Sequence, residues 1–87
     1  MSAVWKFVLK VADVQEVMMP AGAECLCAAE QAGHLCIWAR VDPSAPLEPR
    51  TIAVYGTGHP APDDGHYIGT AFFRGGALVF HVFEKLP

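Results

Sequence analysis

The sequence predicts an all-β domain, a small antiparallel β-sandwich or barrel of about seven short strands, expected to be oligomeric. Three observations carry this. Apolar residues recur at every second position along most of the chain, and clusters of glycine and proline punctuate the runs. The alanine-rich stretch 21–32, which could be read as helical, is confined between Pro20 and Gly33 to roughly three turns, so it is assigned as strand.

Taken in order, "VWKFVLKV" (residues 4–11) puts Trp5, Phe7, Leu9 and Val11 on one face and Lys6 and Lys10 on the other, as a half-buried strand does. "EVMMP" (16–20) is a second strand ended by Pro20, and "PAGAE" is a turn in which Gly22 supplies backbone freedom. Residues 24–43 form a hairpin whose tip, "EQAGH", contains Gly33. On its return strand Leu35, Ile37, Ala39 and Val41 share a face, leaving Cys36, Trp38 and Arg40 on the other. "DPSAPLEP" (42–49) is expected to be a loop, because Pro43, Pro46 and Pro49 cannot donate to a ladder.

"RTIAVYG" (50–56) resumes the strand pattern, with Ile52 and Val54 opposite to Thr51 and Tyr55. "HYIGTAFFRGGALVFHVFE" (66–84) reads as two strands joined at Gly75-Gly76. In the last of them Leu78, Phe80 and Val82 line one face and Val79, His81 and Phe83 the other, which predicts protein on both sides. No repeat or linker divides the chain, so residues 1–87 are read as one domain.

Composition narrows the function classes. The chain is 53% hydrophobic and only 17% charged, more apolar surface than so small a body easily hides, which is the reason to expect a homo-oligomer. Net charge is −3, and Lys6, Lys10, Arg40, Arg50, Arg74 and Lys85 are scattered, so no basic surface exists for long nucleic acid. No run of about 18 apolar residues suggests a membrane partner. The alternating N-terminus does not read as a signal peptide, and three cysteines, an odd number, fit a reducing cytosol better than a disulfide framework. A small anionic ligand remains compatible with this balance, since one or two arginines and a few N–H groups suffice for phosphates.

The chemistry-bearing residues concentrate in "YGTGHPAPDDGHYIG" (55–69). Gly56, Thr57, Gly58 and His59 could cradle an anion, or could form a tight turn ended by Pro60. Arg50 could serve as a phosphate fork with Tyr55 or Tyr67 stacking on a base, or could be a surface arginine pairing with Glu48. Strict alternation places Arg50 and Tyr55 on opposite faces. Trp38 and His81 are further candidates for the pocket wall. Cys25, Cys27, His34 and Cys36 could in principle offer ligands to zinc, but a C-x-C strand face is also what a core looks like, and no metal is expected. His59, Asp63, Asp64 and His66 could form an acid–base or metal set, yet a proline-stiffened loop with solvated aspartates is the simpler account. No nucleophile with a positioned base is visible, so neither catalysis nor a cofactor is expected.

The stretch "LCIWARVDPSAPLEPRTIAVYGTGHP", followed by "YIGTAFFRGGALVFHVFE", resembles short proteins of tailed bacteriophages and prophages that form a domain of unknown function. The pattern "GTGHP … YIGT … FHVFE" carries the likeness, which covers nearly the whole chain and implies a phage origin, a compact β fold and a place in the cytoplasm of the infected bacterium. In class, though not in sequence, the chain also resembles the small oligomeric phage proteins that sequester nucleotide immune signals at subunit interfaces. That likeness implies a nucleotide-like ligand held without turnover by Trp38, Arg50, Tyr55, Gly56, Thr57, Gly58, His59, Tyr67 and His81. The alternative is a virion accessory protein or an adaptor docking on a larger phage or host protein. A small hydrolase of such signals is the third reading.

Overall fold

The computed structural model describes residues 1–61, 63 and 65–86. It is all-β, as the alternation predicts, with seven strands: β1 (Ala3–Leu9), β2 (Val14–Pro20), β3 (Glu24–Gln31), β4 (His34–Val41), β5 (Leu47–Gly56), β6 (His66–Phe73) and β7 (Leu78–Glu84). A single 3₁₀ turn, Arg74–Gly76, joins the last two. The strands make two antiparallel sheets, ordered β1-β4-β3 and β2-β5-β7-β6.

The period-two pattern sets which residues meet between the sheets. Leu35, Ile37, Ala39 and Val41 of β4 face Met19, Ile52, Val54 and Val82 from the other sheet, and all are buried. Burial of this apolar surface is the main force holding the layers together. At one side the layers close onto each other, because the edge strands β3 and β6 lie in contact. Each carries a bulge there, between Cys25 and Cys27 and between Tyr67 and Gly69.

Several boundaries differ from expectation for identifiable reasons. β1 stops at Leu9, because the Gln15 side chain accepts from the Lys10 N–H (3.0 Å) and donates to the Lys10 carbonyl (2.7 Å), turning the chain early. Val11 therefore leaves the predicted face and is 62% exposed. The same turn lets β2 start at Val14. The proline-rich loop is shorter than predicted, because β5 already begins at Leu47 and pairs Pro49 with Met18. Pro49 is tolerated since β5 has only β2 beside it there, and β7 joins from Ile52. In the loop that remains, the Asp42 carboxylate accepts from the Ser44 hydroxyl (2.7 Å) and N–H (3.0 Å), which holds its carboxyl below the usual range.

The β3–β4 hairpin turns on Ala32 and Gly33, both at positive φ (50° and 82°). The β3 bulge overturns the expectation that Cys25 and Cys27 share a strand face. Cys25 pairs with Ala39 and packs on the core, where burial pushes its thiol pKa up, while Cys27 pairs with Trp38 on the outside. Cys36 is buried, so of the free thiols only Cys27 is fully exposed. Ellman's reagent is expected to label Cys27 rapidly and Cys25 and Cys36 only as the fold opens, and Cys27→Ser should remove the fast phase. A fast phase that survives that substitution would contradict the bulge.

Candidate functional site

β5 and β6 run parallel to each other with β7 antiparallel between them. The connection from Gly56 to His66, most of the glycine- and histidine-rich stretch, therefore has to cross β7. Its start and its end both touch that strand. Thr57 Oγ1 is hydrogen-bonded to His81 Nε2 at 2.8 Å, and a Cβ on Gly65 would lie 2.7 Å from the Glu84 carbonyl oxygen. The inner face of β7 is packed against the other sheet.

The turn opening this connection is tight. The His59 N–H donates to the Gly56 carbonyl (3.1 Å), and Gly58 holds φ 88°. The His59 ring folds back over Gly56, whose missing side chain leaves it room; a Cβ there would stand 3.1 Å from His59 Nδ1. The two glycines thus serve different ends, one backbone conformation and one ring packing. With its N–H engaged in the turn, His59 has only its ring left for other contacts. Beside the turn, Gly56, Thr57 and His59 face Ala77–Phe80 across a shallow cleft of about 270 Å³.

On the outer face of the four-stranded sheet the side chains form a continuous polar row. His81 Nδ1 is 3.1 Å from Thr70 Oγ1, and Thr70 Oγ1 is 2.6 Å from the Tyr67 hydroxyl. With Thr57 at the far end, the row runs Thr57–His81–Thr70–Tyr67. Aromatic rings flank it: Phe83 meets Tyr67 and Tyr55 edge to face, with centroids 5.5 and 6.0 Å apart. Tyr67 is 60% exposed and Phe72 62%. The prediction that β7 has protein on both sides is corrected here. Val82 is buried inside, but Val79, His81 and Phe83 are half-buried, with neighbouring side chains such as Tyr55, Thr57 and Tyr67 beside them instead of a further layer. Glu16 is the sole charged residue among the outward strand positions of this sheet.

The structure brings Tyr55, Thr57, Tyr67 and His81 to the outer face, places Gly56 and the His59 ring at the end of the sandwich beside Val54 and Phe80 with Gly58 in the turn between them, and leaves Trp38 and Arg50 elsewhere. Trp38 lies on the outer face of the other sheet, between Lys6 and Cys27. Arg50 points toward the interior at the sheet edge and is held by three hydrogen bonds: its guanidinium makes a two-pronged ion pair with Glu84, one prong at 2.8 Å, and Nη1 donates to the Ala23 carbonyl at 2.9 Å. That hydrogen bond to Glu84 raises the arginine pKa further, and the carboxylate takes the Nε/Nη2 fork and its charge. The pairing with Glu48 is corrected accordingly, and the opposite facing of Arg50 and Tyr55 agrees with alternation.

Thr70, Phe72 and Phe83 complete the face and were not among the sequence candidates. The bulge at Ile68 is the cause, since it puts Tyr67 and Thr70 on one side although their spacing in an unbroken strand would oppose them. Among the described residues no three His, Cys, Asp or Glu side chains are placed to hold a metal ion; Asp64, one of the sequence candidates, lies outside them. No helix is long and apolar enough to cross a membrane.

A hydroxyl beside an imidazole is also the start of an acyl-transfer site. Here the far ring nitrogen meets the Thr70 hydroxyl, not a carboxylate, so an imidazolium formed by proton transfer would lack the usual counter-charge. The arrangement suits hydrogen bonding to a bound molecule better than activation of a nucleophile. No curated protein and no solved structure matches the chain. A family model does, over residues 1–87, and the chain belongs to that family, described as Domain of unknown function (DUF7352).

Proposed function

We propose that the protein is a non-catalytic binding protein that holds a small nucleotide-derived ligand on the outer face of the four-stranded sheet, and that, in a phage-infected bacterium, it sequesters such a signal from host defence. The observation that carries this reading is the row Thr57–His81–Thr70–Tyr67 beside exposed aromatic rings. A base would stack on Tyr67, and the hydroxyls, held in place by the His81 imidazole between Thr57 and Thr70, would meet its polar edge or the ribose. With Arg50 engaged by Glu84, selectivity would rest on the base and sugar, and the phosphates would lie toward a second subunit.

Native mass spectrometry and calorimetry with a panel of cyclic and ADP-ribose-derived nucleotides test this directly. The expected result is an unmodified ligand mass on the protein, and a loss of roughly fivefold in affinity for Thr57→Val and again for Thr70→Val, one neutral hydrogen bond each. Binding to none of the panel, or binding unchanged in both variants, would sink the proposal. The second reading, docking on a larger protein, is favoured by Val14 and Met18, each 51% exposed on the same face as Phe72. It becomes the better account if the panel fails.

A further inference from the structure

We propose that the sandwich has a second ligand site at its open end, one that takes a small molecule with an apolar body and a single carboxylate head. The turns following β1, β3 and β6 converge there. Between them lies a cleft of about 560 Å³ whose apolar surface comes from Val11, Phe73, Leu78 and Phe80. Phe73 and Phe80 meet edge to face at 5.5 Å and pack against the core, which gives the floor a fixed shape. Val11 and Leu78 stand 62% and 41% exposed, apolar surface that an occupant would remove from water. The volume falls in the range of roughly 300–1,000 Å³ usual for small-ligand pockets.

Two charged residues fix the polarity of the occupant. Glu30 accepts a hydrogen bond from the Gly33 N–H at 2.6 Å and is thereby committed to its own hairpin. Arg74 is exposed and takes part in neither of the ion pairs found among the described residues, Arg40–Glu24 and Arg50–Glu84. A guanidinium over an apolar floor fits a carboxylate through two parallel hydrogen bonds. Glu30 across the same cleft disfavours a more highly charged anion, which is the reason for a monocarboxylate over a phosphate ester.

The backbone at Arg74 makes a clean test available. Its φ is 52°, followed by 64° at Gly75 and 95° at Gly76. Glycine would suit this left-handed position better than arginine. Arg74→Gly therefore removes the guanidinium while relaxing the turn, so lost binding would not reflect a lost fold.

The site shares Leu78 and Phe80 with the cleft beside the Thr57–His59 turn but does not involve the Thr57–His81–Thr70–Tyr67 row, and the experiment separates the two. Amide NMR titrations with octanoate and octan-1-ol should show saturable shifts at Gly33, Phe73, Leu78 and Phe80, with little change at Thr57, Thr70 and His81. Octanoate is expected to bind at least about tenfold more tightly than the alcohol, an advantage that Arg74→Gly abolishes while the melting temperature holds or rises. Equal affinity for acid and alcohol in the native protein, octanoate affinity unchanged in Arg74→Gly, or no saturable shift would overturn the proposal.

Discussion

Gly69→Ala is expected to destabilise the protein by about 2–3 kcal/mol and to lower its melting temperature by roughly 10–20 °C. A Cβ at this position would lie 2.6 Å from the Ala28 nitrogen and 2.8 Å from its carbonyl oxygen, and both are backbone atoms that cannot rotate away. Gly69 follows the β6 bulge, and Ala28 lies just past the β3 bulge, so the clash falls where the two sheets touch edge to edge. Relief would require β3 and β6 to part, exposing Ala28, Ile68 and Ala71, all now buried. Ala32→Gly, in an open hairpin tip, is the control and should cost nothing. Urea unfolding of both variants decides the matter, and a Gly69→Ala protein as stable as the parent would mean that the seam is looser than described.

Removing one partner of the Arg50–Glu84 pair should be comparably damaging. The side chains are 17% and 15% exposed, so Arg50→Met leaves the Glu84 carboxylate largely out of water without its counter-charge, at a cost of about 2–3 kcal/mol. It also strips the donor from the Ala23 carbonyl, which ties the turn leading into β3 to the other sheet. The double variant Arg50→Met/Glu84→Leu leaves no unpaired charge and is expected to lie within about 1 kcal/mol of the parent. A double variant as unstable as the sum of its singles would show that the pair acts through packing and not through charge. Neither single substitution should alter binding on the outer face beyond what lost folded protein explains, because both side chains lie on the inward positions of β5 and β7.

How much the sequence could reveal depends on the range of the interactions. Leu35, Ile37, Ala39 and Val41 alternate with Cys36, Trp38 and Arg40 under their own local pattern, and they were legible as a face of their own. So was the pairing of β6 with β7 through Gly75-Gly76, a contact between neighbours along the chain. The bulges at Leu26 and Ile68 leave no mark in the alternation, and each reverses the facing of the residues beyond it, separating Cys25 from Cys27 and uniting Tyr67 with Thr70. Arg50 was legible as a residue able to fork and illegible as one already engaged, because Glu84 is 34 positions away and reaches it only once β5 and β7 pair. That Trp38 lies on the other sheet was illegible for a similar reason, since the assignment of strands to two layers is set by tertiary packing.

The place of β7 has a consequence for how the chain is made. It is the last of the strands in sequence, yet it sits inside its sheet, with β5 on one side and β6 on the other. Until it emerges from the ribosome those two have no partner between them, and their backbone groups and aromatic side chains stay available to other chains. Growth of this layer therefore waits on β7, and a shielding chaperone is most valuable between the emergence of β6 and that of β7.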